Sequence, residues 1–204
     1  MRLNVAFIPP DQVLDQAVLL SRQIASENDA YFILNQRDYL GHITIYSPEY
    51  AEEQTDNVIK ALEELSKSFQ PINFKFLKLA SRQGYIGIEY KRTSEIQDVH
   101  EKLVNTLNPL RQGLVRDKYK NQDYKMNFSK EQIDNIEQYG YPDAMKLYKP
   151  HLTITRLKNE DVAKTITTGL NQNFEDFTVN KIGIYKMGEH GTATALISGV
   201  NLGA

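Results

Sequence analysis

The order of elements encoded in this sequence runs through the chain twice, and that repeat narrows the fold more than any other feature. Residues 3–8 read as a strand closed by Pro9 and Pro10. Asp11 then caps a helix over about 12–26, with Val13, Ala17, Leu20 and Ile24 on one face. Short strands follow at 31–34 and 42–46, the second entered through Gly41 and closed by Ser47-Pro48. A helix over about 51–68 turns Val58, Leu62 and Leu65 inward, Pro71 stops it, and a strand over 72–80 ends the first half. The second half begins with a strand at 84–90 and a helix at 94–107 that aligns Ile96, Val99, Leu103 and Leu107. Strand 151–155 and a helix over about 159–170 come next, then strands 177–185 and 192–200 joined through a turn at 188–191. At 204 residues the chain can bury a core without disulfides. The expectation is one bilobal α+β domain over 1–204. Two antiparallel-leaning sheets flanked by helices would be related by a pseudo-twofold axis, with a central cleft between them. The competing expectation is an ordinary α+β domain whose halves only look alike.

The halves differ at one point. Residues 27–41 separate helix from motif strand in the first half, and 108–150 do so in the second. This insertion carries Tyr119, Tyr124, Phe128, Tyr139, Tyr141 and Tyr148 among Arg116, Lys118, Lys120, Lys125 and Lys149. Ser129 to Gln132 spell a capping box that should start a short helix ending near Tyr139. A segment this long is usually functional or floppy. It reads either as a lid that stacks bases and contacts phosphate or as an elaboration packed by its own tyrosines.

Two of the four histidines stand in one frame: His42-Ile43-Thr44-Ile45 and His151-Leu152-Thr153-Ile154. Side chains alternate along a strand. His42, Thr44 and Tyr46 should therefore share one face, as should His151, Thr153 and Thr155, while the aliphatic residues enter the core. Each strand then offers one imidazole and one hydroxyl to shared space. That set suits phosphodiester chemistry. One neutral imidazole takes a proton from the attacking oxygen, one imidazolium protonates the leaving oxygen, and two hydroxyls hold the non-bridging oxygens. His42 and His151 are the catalytic candidates, and Thr44 and Thr153 the phosphate binders. Tyr46, Lys149, Arg156 and Tyr185 are secondary candidates for substrate contact, together with Arg82. His190-Gly191-Thr192 lacks the aliphatic frame and falls in the turn at 188–191. His100, beside Asp98 and Glu101 in a helix, reads as a surface residue.

Other chemistries find little support. The chain has no cysteine, which excludes a thiol nucleophile, a disulfide scaffold and a zinc–cysteine site. It has no Gly-x-Ser-x-Gly elbow, no Walker-type phosphate loop and no His-x-x-x-His pair. No metal or cofactor is called for. A net charge of -2 disfavours binding along long duplex nucleic acid and points to a small nucleotide or a short RNA end. No apolar run is long enough to span a membrane, and the start of the chain is too short in apolar residues for a signal peptide. A monomer in the cytoplasm is the expectation.

The paired motifs, in a duplicated α/β chain of this size, resemble the two-histidine (2H) phosphoesterase superfamily, which includes the 2′-5′ RNA ligase-like proteins and the cyclic phosphodiesterases. The resemblance implies a bilobal fold with the active site between the lobes and no metal. It implies action on 2′,3′-cyclic phosphates, 2′-5′ linkages or related nucleotides, with His42 and His151 as acid and base and Thr44 and Thr153 on the phosphate. RNA end joining would use the same site, and a module that only binds a nucleotide or RNA end would use the same cleft.

Overall fold

A computed structural model of the chain describes residues 1–170 and 174–203. The elements in chain order are β1 (Leu3–Phe7), α1 (Asp11–Glu27), β2 (Ala30–Ile33), β3 (Ile43–Tyr46), α2 (Thr55–Ser66), β4 (Ile72–Phe74), β5 (Phe76–Arg82), β6 (Tyr85–Tyr90) and α3 (Ser94–Leu107). They continue with α4 (Gln122–Lys125), α5 (Lys130–Tyr139), β7 (His151–Leu157), α6 (Glu160–Gly169), β8 (Phe177–Val179), β9 (Lys181–Met187) and β10 (Ala193–Asn201). The class is α+β, as expected.

Eight strands form a sheet in the order β10-β9-β1-β3-β7-β6-β5, with β2 also lying along β7. Every pairing is antiparallel. The two motif strands, β3 and β7, are its centre. One quartet (β10, β9, β1, β3) lies on one side of the junction and a second (β7, β2, β6, β5) on the other. The lobes are therefore not the two halves of the chain. The C-terminal hairpin β9–β10 completes the lobe that β1 and β3 begin, while β2, from the first half, pairs with β7 in the other. The order of elements recurs along the chain, but the halves exchange strands.

Two strands expected to be continuous are broken. Residues 72–80 divide at Lys75 and residues 177–185 divide at Asn180. The first pieces, β4 and β8, pair with each other as a separate two-stranded sheet, with Phe74 opposite Phe177. Those rings stack 5.4 Å apart, with Phe7 and Tyr90 packing edge-on against Phe74. Phe74 is fully buried, so truncation to alanine there would cost about 3–5 kcal/mol.

One face of the large sheet is the floor of a continuous apolar core. Val5, Ile43, Ile45, Ile88, Leu152 and Ile184 are buried in it together with Leu20 of α1, Leu62 of α2, Leu103 of α3 and Ala163 of α6. The alternating aliphatic residues of the motif strands thus do what strand periodicity requires of them.

The insertion is structured and packs on β3. α5 has the expected capping box at Ser129 and Gln132, and Gly140 ends it in the left-handed conformation (φ 67°). Tyr119, Tyr124 and Phe128 form their own cluster with centroids 5.4–5.9 Å apart. Tyr148 donates from its hydroxyl to the Thr44 carbonyl at 3.0 Å. His100 corrects the surface reading. It is fully buried, bonds the Ile45 carbonyl through Nδ1 at 2.9 Å, accepts from the Met145 N–H at 2.8 Å and stacks on Tyr148 at 4.0 Å. The acidic neighbours of His100 face away on the helix, whereas its own position shares the apolar stripe with Ile96, Val99 and Leu103. It ties motif strand, α3 and insertion together.

Candidate active site

The site begins with one pairing: Ile43 of β3 is registered against Leu152 of β7. Both are fully buried on the core face. One step along an antiparallel ladder in either direction sets His42 against Thr153 and Thr44 against His151, all on the opposite face. Directly opposed side chains have Cβ atoms about 4.5–5.5 Å apart. Two imidazoles and two hydroxyls therefore form a compact diagonal set at the junction of the lobes.

Both rings are held in the same way. His42 Nδ1 bonds the Leu40 carbonyl at 2.9 Å, and His151 Nδ1 bonds the Lys149 carbonyl at 2.8 Å. In each case the acceptor is the backbone two residues earlier. With Nδ1 donating, Nε2 is the free nitrogen and can take up or release a proton. The environments differ. His42 is 8% exposed, and its pKa is lowered to about 4, chiefly by burial, with the positive charges of His151 and Arg2 adding to the effect against the Leu40 hydrogen bond. His151 is half-buried, and across the ladder it faces Glu89, whose carboxylate lies 3.6 Å from Lys78.

Thr44 Oγ1 accepts from Asn4 Nδ2 at 2.9 Å, which leaves the threonine proton free to donate outward. Thr153 lies opposite Gly87. A Cβ at Gly87 would stand 3.1 Å from the Leu152 carbonyl and 3.7 Å from the Thr153 Cα, so the absence of a side chain keeps the space beside this hydroxyl open.

Beyond these four residues strict alternation fails, at the same place in both strands. The β1–β3 register shifts between Val5 and Ala6, so that Val5 faces Tyr46 while Ala6 faces Thr44. The β6–β7 register shifts between Ile86 and Gly87, so that Ile86 faces Thr155 while Gly87 faces Thr153. An extra residue in one strand of a pair turns the following side chains over. Tyr46 is thereby carried into the core, fully buried, with its hydroxyl donating to the Tyr139 carbonyl at 2.6 Å. It does not face the site as alternation predicted. Thr155 is likewise buried and donates to the Phe32 carbonyl at 2.7 Å. Arg156 comes up in its place, between Tyr31 (5.0 Å) and Tyr85 (4.7 Å), and bonds His190 Nδ1 at 3.2 Å. His190 stacks on Tyr31 at 4.5 Å, so the turn between β9 and β10 reaches the other lobe through this stack.

Tyr185 lies at the site: its ring centre is 5.7 Å from that of His42, and burial raises its hydroxyl to a pKa of about 12. The Lys149 side chain is exposed, and it is the Lys149 carbonyl that holds His151. Arg82 is exposed at the end of β5. Three residues that carry no motif complete the surroundings, Asn4, Glu89 and Arg2, and Arg116 of the insertion lies beside Arg2. Leu3, Val5 and Phe7 are core residues, so Asn4 and Ala6 occupy the histidine face of β1, and Arg2, just before the strand and bridged to Glu49, continues that alternation. Burial and Arg116 lower the Arg2 pKa to about 10, which leaves it charged at neutral pH. The alternation of β1 could have suggested Asn4, but nothing local signals Glu89 or Arg116. Among the described residues, no group of three or more His, Cys, Asp and Glu is placed to hold a metal ion. No helix among them is long and apolar enough to cross a membrane. A shallow pocket of about 330 Å³ lies inside the insertion, lined by residues that include Leu114, Tyr119, Lys125 and Ile136, and it contains neither motif histidine.

The class of fold is settled by solved structures. TT0787 of Thermus thermophilus superposes with a TM-score of 0.62 at 13% identity, covering 99% of this chain and 98% of that one. E. coli LigT complexed with 3′-AMP gives 0.60 at 11% identity, covering 98% and 97%. E. coli LigT in apo form gives 0.56 at 13% identity, covering 98% and 96%. At such identities it is the fold that is shared, and it is the LigT-like fold implied by the motif resemblance to the two-histidine phosphoesterases. A family model described as a protein of unknown function (DUF1045) matches residues 48–191, more than half of the chain, and the chain belongs to that family. The matched stretch holds the insertion and the second motif and begins just after the first. No curated protein matches the chain.

Proposed function

We propose that this protein is a metal-independent phosphodiesterase acting on 2′,3′-cyclic phosphate, 2′-5′ or cyclic (oligo)nucleotide phosphoesters by two-histidine acid–base catalysis. One observation carries the reading. The Ile43–Leu152 register sets His42 against Thr153 and Thr44 against His151, with both Nδ1 atoms tied to backbone carbonyls. The complex of LigT with 3′-AMP, a nucleotide held by the same fold, supports the choice of substrate class.

In this reading the two rings take different roles. Burial keeps His42 neutral at pH 7, so its Nε2 lone pair is available to a proton. His42 is the base: it takes the proton of an attacking water as the water oxygen bonds to phosphorus. His151, the more exposed ring, is then the acid: it gives its Nε2 proton to the ester oxygen as the P–O bond breaks. Thr44 and Thr153 donate to the non-bridging oxygens as charge builds there. The product is a phosphomonoester, and proton exchange with solvent returns both rings to their starting forms.

The test incubates wild type and the His42→Ala/His151→Ala double variant in EDTA. The panel is nucleoside 2′,3′-cyclic phosphates, 2′-5′ and 3′-5′ dinucleotides and cyclic dinucleotides, read by mass spectrometry. Turnover by wild type alone is expected. Each single variant should lose about a hundred- to ten-thousand-fold in rate. A loss below tenfold in both would overturn the assignment.

A further inference from the structure

Arg2 and Arg116 are two neighbouring cations, and neither forms an ion pair among the described residues. Arg116 is buried beside Ser47, whose hydroxyl donates to the carbonyl of Leu3, the residue after Arg2. The Nε of both is buried without a hydrogen-bond partner. Arg2 Nη1 reaches only the Gly188 carbonyl, at 3.4 Å, and Arg116 Nη2 bonds the carbonyl and hydroxyl of Ser47. The acids nearby are engaged elsewhere. The Glu49 carboxylate is 3.1 Å from the Met1 ammonium, and Asp143 accepts from Gln132 Nε2 at 2.8 Å. Elsewhere in the chain a buried arginine is fully provided for: Arg111 donates to Asn108, Leu114, Glu137 and Gln138.

Two guanidinium groups close together, part-desolvated and with donors unfilled, repel one another and lack an acceptor. A phosphoryl group supplies what is missing, since its oxygens accept the forked N–H pairs that arginine presents. The cluster belongs to the same face as the histidines. Arg2, just before β1, precedes Asn4, the residue that holds Thr44, by two positions, which is roughly 7 Å of extended chain. Asn4 is in turn registered opposite Tyr185, whose ring lies 5.7 Å from that of His42. The Arg116 guanidinium lies 5.6 Å from the centre of the Tyr119 ring, and both residues come from the insertion.

We propose that Arg2 and Arg116 bind a second phosphoryl group of the substrate, so that the preferred substrate is a nucleotide phosphodiester or cyclic phosphate that also carries a phosphomonoester. This rests on the phosphodiesterase reading of the histidine pair and names its substrate class. The insertion, by delivering Arg116, makes the cleft selective for it.

The experiment uses matched ligands. Nucleoside 2′,3′-cyclic phosphates with and without a 5′-phosphate are compared by kcat/KM. Nucleoside 3′-monophosphate and 3′,5′-bisphosphate are compared by calorimetry, which needs no turnover. Wild type should favour the second phosphate at least tenfold in both measurements, and Arg2→Gln should bring both ratios to within twofold of one. Arg116→Lys, which keeps a donor for Ser47, should reduce them in part, and Arg2→Gln decides alone if that variant does not fold. Equal handling of the matched ligands by wild type overturns the subsite, as does a preference that Arg2→Gln leaves intact. Turnover without the preference removes the subsite and keeps the phosphodiesterase reading. The preference in binding, with no phosphodiester turned over, keeps the subsite and removes that reading.

Discussion

Acid should unfold this protein through its buried histidines before it titrates most carboxylates, and the size of the effect follows from their surroundings. His42 and His100 are both held near a pKa of 4, from an ordinary 6.5, mainly by burial. In the unfolded chain each regains its ordinary value. At any pH between the two values the unfolded state binds more protons, so stability is complete above about 6.5 and is lost as pH falls towards 4. Integrating between those limits gives about 3 kcal/mol for each histidine, and at most about 7 kcal/mol for the pair. That is comparable with the whole stability of an ordinary domain, about 5–15 kcal/mol. The assay is urea unfolding, followed by far-UV circular dichroism, at pH 7.5, 6.5, 5.5 and 4.5, on wild type and His100→Gln. Glutamine keeps one donor and one acceptor for Ile45 and Met145 but cannot take a proton in this range. The variant is expected to start less stable and to lose less with acid, by about 1 kcal/mol or more between pH 6.5 and 4.5. The readout is the slope against pH, so the lower starting point does not obscure it. Equal slopes in the two proteins would refute the argument that burial of His100 as a neutral ring couples folding to protons.

Three further outcomes follow from the site. Thr44→Val and Thr153→Val should each lower kcat by about a hundred- to a thousandfold with the fold intact, as removal of one transition-state donor does, and steady-state kinetics on the preferred phosphodiester checks this. Tyr46→Phe should leave turnover within threefold, because that hydroxyl serves the Tyr139 carbonyl and not the cleft, while chemical denaturation shows a loss of about 1–3 kcal/mol. Gln in place of Asn4 should lower kcat more than it raises KM, since the longer amide no longer meets Thr44 at 2.9 Å and misdirects its proton; an unchanged kcat would argue against that positioning role.

What the sequence determined by itself was whatever depends on neighbours along the chain. The aliphatic residues at 43, 45, 152 and 154 had to face a core, which put His42, Thr44, His151 and Thr153 on the opposite side. The capping box at Ser129 and Gln132 announced α5, and the twofold order of elements announced a bilobal α+β fold. Alternation then misled at Tyr46 and Thr155, because a bulge follows each His-x-Thr and a bulge is a property of the pairing, not of either strand alone. His100 misled because its charged neighbours belong to the other side of α3, and only the meeting of helix, motif strand and insertion buries the ring. Tertiary structure alone decided that the lobes exchange strands, so that β9–β10 serves β1 and β2 serves β7. It also brought Arg2, from the start of the chain, beside Arg116, from the insertion. Strand and helix periodicity act over a few residues and can be read directly. Pairing partners, bulges and meetings of charges more than a hundred residues apart are set by the packing of the whole chain, and they gave the two histidines unequal surroundings.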